Sequence, residues 1–208
     1  MTIAFKDYFN TFKIPINSNM EELFSYIKKF GILNEKEELL IAKGIQEMSI
    51  QKGEIFVEAG KISQTIAFVK EGVFRSLYYN KQGDDFTRYF IYEGRFIGDF
   101  HGFADQIPSN EYIEAITDAT VLTLDFDYFK ILEKEIAVWP VLIARLHAFV
   151  AENKLKVVST MLNLDAKSRY LYFLNHYPGL ANRVPQAMLA SYLGITPSSF
   201  SRIRKNVQ

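Results

Sequence analysis

Seven side chains near the end of the chain, Thr196, Ser198, Ser199, Ser201, Arg202, Arg204 and Lys205, gather hydroxyls, guanidinium groups and an amine into one short stretch. Hydroxyls and arginines at close spacing can contact phosphates and base edges. The composition around them favours an anionic partner. After Asp165 there is no Asp or Glu, while Lys167, Arg169, Arg183, Arg202, Arg204 and Lys205 remain, so the tail carries +6 within a chain of net charge +0. The other 165 residues must therefore carry −6 and repel the same partner. A solvated basic face is the plainer reading of the charge alone.

The residues around that stretch decide how it is presented. In the run Val184 to Lys205, Ala190 is small where two helices would cross, and Gly194 suits the left-handed backbone of a tight turn. Thr196 can cap a second helix, and Pro197 suits its first position. Leu189, Leu193, Ile195, Phe200 and Ile203 form a shared core. This spacing predicts a helix-turn-helix with Ser198, Ser199, Ser201, Arg202 and Lys205 facing DNA. An ordinary pair of packed helices is the alternative.

Other chemistries lack their parts. The chain has no cysteine, which removes disulfides, thiolate nucleophiles and cysteine-held iron–sulfur clusters. Its three histidines, His101, His147 and His176, are scattered. An enzyme on a metal-binding barrel needs clustered His and carboxylate ligands on facing strands, and the strand region supplies only His101. No cofactor is expected. Met1 to Asp7 lacks the apolar run of a signal peptide, and no stretch approaches a membrane span, so a cytoplasmic protein is expected.

The elements that must position the tail read in three blocks. Residues 18–48 carry helical periodicity, with Ser18 as a cap, Leu23, Ile27 and Phe30 on one face, Gly31 as a stop, and a second helix from Glu35 to Met48. From 50 to 126, runs rich in Phe, Tyr, Ile, Val and Thr alternate with glycine turns. Strands are predicted at 66–69, 73–79, 86–92, 112–116 and 120–124, with no helix between them. That pattern predicts a sandwich or a jelly-roll-like barrel. Residues 129–164 are helical again, with Pro140 near a helix start. Two apolar seams, Leu142, Leu146, Phe149, Asn153, Lys156, Thr160 and Ile143, Leu146, Val150, Val157, Met161, Leu164, must bury against the roll, a second copy, or both. Asn153 would fix register in a dimer. Asp165 is expected to cap the next helix, which ends at Tyr177-Pro178-Gly179.

Residues 50–205 resemble the Crp/Fnr regulators. The likeness rests on Lys52-Gly53-Glu54, Phe68 to Gly72, Gln82-Gly83-Asp84, Glu93 to Asp99, Leu189 to Thr196 and Phe200-Ser201-Arg202. It implies an α+β chain: an N-terminal double-stranded β-helix sensor domain over 1–137, a long dimerisation helix over 138–164, and a C-terminal helix-turn-helix domain over 165–208. The chain ends at Gln208, so the β-hairpin wing usual in the family is expected to be truncated. Implied partners are DNA, a second copy of the chain, RNA polymerase and an unidentified small-molecule effector, with no membrane. A regulatory or protein-interaction module without DNA binding is the competing reading.

The resemblance also implies a ligand pocket at Gly98, Asp99, Ser109, Asn110, Val157 and Val158. Cyclic-AMP-binding relatives place a Gly-Glu pair on the ribose and an Arg-Ser pair on the phosphate. Here Asp99 is shorter, Ser109 and Asn110 replace the second pair, and Val157 and Val158 stand where relatives carry hydroxyls. No Lys or Arg occurs between Arg95 and Lys130. A buried cyclic phosphate would lack its guanidinium partner, so tight cyclic AMP binding is not expected.

Overall fold

The computed structural model describes residues 18–207. The reading of Met1 to Asp7, and the ends of the first and last expected domains, lie outside that range. Two short helices open it, α1 (Ser18–Ile27) and α2 (Glu35–Gly44). α1 begins at Ser18 itself and stops before Gly31. α2 is started by Asn34, whose side chain accepts from the backbone of Lys36 and Glu37 while Glu37 bonds back to the Asn34 N–H. This capping box satisfies otherwise orphaned donors.

Eight strands follow: β1 (Gln46–Ile50), β2 (Ile55–Val57), β3 (Thr65–Glu71), β4 (Val73–Tyr79), β5 (Asp85–Tyr92), β6 (Phe96–Ile97), β7 (Tyr112–Ala115) and β8 (Ala119–Asp125). They form two antiparallel four-stranded sheets, ordered β1-β8-β3-β6 and β2-β7-β4-β5. The expected second helix to Met48 is corrected here. It ends at Gly44, and Met48 pairs with Val121 in the first sheet. The expectation of uninterrupted strands is corrected too. A six-residue helix, α3 (Phe100–Asp105), stands between β6 and β7, capped by Asp99.

The layers explain the strand patterns. Ala67, Val69, Phe74, Ile97, Ile113 and Val121 fill the space between the sheets. Ile66, Phe68, Leu122 and Leu124 point out of the other side of the first sheet, against α1, α4 (Phe126–Glu135) and α5 (Trp139–Leu162). β3 is thus buried on both faces and reads as a continuous apolar run. Val73, Phe90 and Ile116 leave the outer side of the second sheet and join the core of the tail.

The tail holds α6 (Ala166–His176), a 3₁₀ turn (Leu180–Asn182), α7 (Gln186–Leu193) and α8 (Pro197–Lys205). Asp165 caps α6 by accepting from the Ser168 N–H at 2.8 Å, and that bond holds its carboxyl below the ordinary range. No helix of the described residues is long and apolar enough to cross a membrane.

Candidate functional site

The first candidate surface is α8. Gly194 has φ 69°, a left-handed conformation that only glycine adopts without strain, and it turns α7 into α8. Thr196 Oγ1 accepts from the Ser199 N–H at 3.2 Å and closes the first turn of α8, with Pro197 as its first residue. Phe200 buries against Tyr170 with ring centroids 5.1 Å apart, and Ala190 is fully buried beneath the crossing. Anchoring Phe200 inward rotates the rest outward. Thr196, Ser198, Ser201, Arg202 and Lys205 are exposed, and Ser199 and Arg204 are half-buried. The salt bridges among the described residues include none from α8. Its cations therefore remain available to an anion.

The second candidate is a cleft of about 660 Å³ walled by α1, β5, β6, α5 and the tail. Of the six expected pocket residues, Gly98, Val157 and Val158 line it, and Asp99, Ser109 and Asn110 do not. Gly98 is required by its backbone: φ is 144°, and a Cβ there would meet Ile66 at 3.0 Å. Asp99 spends one carboxylate oxygen on the Gly102 N–H at 3.0 Å. Ser109 is 2 % exposed, and its hydroxyl bonds the backbone of Glu111, while Asn110 is exposed.

Sequence reasoning missed the polar cluster beside them. Glu111 accepts from Tyr89 Oη at 2.8 Å, from Arg88 at 3.3 Å, and from Ser76. Burial, and then the Glu111 charge, push the Tyr89 phenol far above its ordinary pKa. Lys154 of α5 lays its ammonium 3.8 Å from the Tyr89 ring centroid. Desolvation in the cleft lowers its pKa, with Glu111 opposing the shift. Nothing local in the sequence links residues 76, 89, 111 and 154, so only the fold could reveal them.

α5 presents two opposite apolar faces. Leu142 and Leu146 are buried on the sensor, with Ile143 and Val150 packed beside them. Phe149, Asn153, Val157 and Met161 continue that face into the cleft. The seam residues from Leu142 to Val157 and Met161 therefore face the chain's own core and cleft, whereas Lys156 is exposed, and Asn153 bonds to the Phe149 carbonyl at 2.8 Å within α5. The outer face is a third seam: Val141, Ala144, Ala148, Ala151, Leu155, Val158 and Leu162 are all exposed. Steps of three and four give it the a/d spacing of a coiled coil.

The tail is fixed to the sensor. Ser191 Oγ accepts from the Thr87 N–H at 3.0 Å, Phe90 meets Tyr192 at 5.3 Å between centroids, and Arg183 forks onto Glu93 at 2.8 and 2.6 Å. The histidines stay apart from any metal-ligand set. Among the described residues no three His, Asp or Glu side chains converge on one point.

Residues 47–135 match the family described as the cyclic nucleotide-binding domain. No curated protein matches the chain. Solved structures similar to it include FixK2 from Bradyrhizobium japonicum, at 19% identity and TM-score 0.66, covering 78% of this chain and 84% of that one. A protein described as a Crp/Fnr-family transcriptional regulator from Eubacterium rectale matches at 17% identity and TM-score 0.66, covering 84% and 83%. The CooA mutant from Carboxydothermus hydrogenoformans matches at 18% identity and TM-score 0.62, covering 91% and 84%. The chain has the fold of the solved Crp/Fnr regulators it is similar to, and its residues 47–135 match the cyclic nucleotide-binding domain family.

Proposed function

We propose that the protein is a DNA-binding transcription regulator that works as a homodimer. The tail reads DNA through a helix-turn-helix made of α7 and α8. The observation that carries this reading is the outward face of α8: Ser198, Ser201, Arg202 and Lys205 exposed, in a tail with no acidic residue after Asp165. Two such helices on a two-fold dimer match successive major grooves. The outer seam of α5 supports the dimer, since four large apolar side chains in coiled-coil register stand in solvent there.

Tight cyclic AMP binding does not fit. Asp99 and Ser109 are committed to caps and turns, and the Glu111 carboxylate occupies the polar cluster next to them. A cyclic phosphate brought there meets a like charge. RNA polymerase is the further partner that a transcription activator would require.

Fluorescence anisotropy on genomic fragments tests DNA binding. Affinity should fall steeply with salt, because each neutralised phosphate releases counterion. Arg202→Ala should weaken binding and flatten the log–log salt slope by about one unit. An affinity and slope unchanged by that substitution would remove α8 as the reading surface.

A further inference from the structure

The short helix α3 is held at two points, and one of them can take a proton. Six residues are too few to sustain a helix on local bonds alone, so α3 depends on its packing. Its second turn is anchored by Phe103, which is buried against Phe126 and Phe129 of α4 at centroid distances of 5.5 and 5.2 Å. Its first turn rests on α5 through Phe100, whose ring meets the His147 imidazole at 5.1 Å in a T-shaped contact.

The surroundings of His147 suit a neutral ring. Its Nε2 is shielded from solvent and has no hydrogen-bond partner among the described residues. Phe100 offers it no lone pair. Its neighbours three and four residues away on α5 are Ile143, Ala144, Val150 and Ala151, none of which ionises. From α3 comes one titratable group that acts on it, His101, which lies 3.1 Å from Asp105 and opposes a second charge nearby. The other charged groups beside these elements act elsewhere. Asp99, the cap of α3, acts on Lys154, and Arg95, next to β6, acts on the Tyr26 phenol of α1. Burial, and then His101, hold the His147 pKa below its ordinary value. A protonated imidazole carries an N–H on both nitrogens. On His147 one of them would meet no acceptor, and the charge would have no counter-charge.

We propose that His147 is a proton-operated latch: neutral, it seats the first turn of α3 on α5, and protonated, it releases that turn about the Phe103 anchor. Once released, the imidazole regains water and its ordinary pKa of 6.5. The seated form is therefore favoured in full above that value and loses ground as pH falls below it. This makes the sensor roll responsive to acid. The inference does not rest on the DNA-binding reading, and its test uses no DNA.

The test is hydrogen exchange on the full chain, read by mass spectrometry at pH 7.5 and pH 5.5 and corrected for the intrinsic rate of free amides. The probes are the amides that close the first turn of α3: Gly102 on the Asp99 carboxylate at 3.0 Å, and Phe103 on the Asp99 carbonyl at 2.8 Å. Their opening should rise up to about tenfold between the two conditions, the ratio set by one proton taken up below pH 6.5. The amides of α4 should not share the rise. His147→Phe, which keeps a ring against Phe100 and cannot charge, should abolish it, and so should His147→Leu, which has no ring. His101→Gln should keep most of it. A flat response in the parent, a rise equal in the parent and the two His147 variants, or a rise shared by α4 would overturn the proposal.

Discussion

On its inner face α5 sinks Leu142 and Leu146 to 1 % exposure each, whereas on its outer face Leu155 and Leu162 stand 67 % and 72 % exposed. Both faces are apolar and run along one helix. The inner face has found its partner within the chain: the sensor core of Phe30, Leu132 and Ile136. The outer face is just as regular and stays exposed, touching the chain only where Val158 and Leu162 edge the cleft. An apolar stripe therefore says that burial is required, and only the fold says by what. On this helix one stripe holds the chain together and the other stands in solvent, where the proposed dimer would bury it.

The largest effect that can break this comparison is on the outer face. Leu155→Lys with Leu162→Lys puts four charges into a symmetric seam and removes four leucines from it. Each buried leucine contributes about 1.5–3 kcal/mol. The dimer should weaken at least about a thousandfold, giving monomers in sedimentation equilibrium at micromolar protein, with an unchanged far-ultraviolet spectrum. DNA affinity should fall with it, because two linked half-sites become one. A variant that stays dimeric assigns the self-interface elsewhere.

The seam also shows what the sequence made legible. Three of its seven positions are alanines, Ala144, Ala148 and Ala151, so bulky Leu, Ile and Phe on the other side dominate any count of apolar residues. The two seams that stand out are therefore the inner ones. Local geometry was easier to read. Asp165, Gly194 and Thr196 act on residues within four positions of themselves, and each does in the structure what its spacing predicts. β1 was hidden because four of its five residues are exposed, which erases the alternation of a half-buried strand. β6, with two residues, is too short to carry a period. The Glu111 cluster and the aromatic cleft join residues tens of positions apart, and no period or cap encodes them.

The inner face gives the next effect. Leu146→Ala leaves a cavity in a packed core, and such truncations cost about 2–5 kcal/mol. Chemical denaturation should report a loss in that range. The folded variant should still be dimeric, because the outer seam is untouched. A loss under about 1 kcal/mol would mean that α5 is not seated on the sensor as described, and the contrast between its faces would lapse.

A third surface lies between these extremes. The tail packs on β5 through Phe90, Tyr92 and the Thr87–Ser191 bond, and among the described residues the ion pair joining it to the sensor, Glu93 with Arg183, keeps 31 % and 39 % of the two side chains exposed. Exposed pairs contribute about 0.2–1 kcal/mol. Arg183→Ala should therefore cost little at pH 7, far less than Leu146→Ala. Its pH dependence is more telling than its size. Burial raises the Glu93 pKa, but hydrogen bonds from Arg183 and from the Gly72 N–H outweigh it and hold the carboxyl below its ordinary value. A carboxyl depressed on folding stabilises the native state above its unfolded pKa. That contribution is lost as pH falls through the folded value. The stability gap between the parent and Arg183→Ala should thus be full at pH 7 and close progressively between roughly pH 5 and pH 3. Denaturation curves at each pH measure it. A gap that persists unchanged at pH 3 would show that Arg183 acts through something other than Glu93, and that the tail is not pinned to β5 by charge.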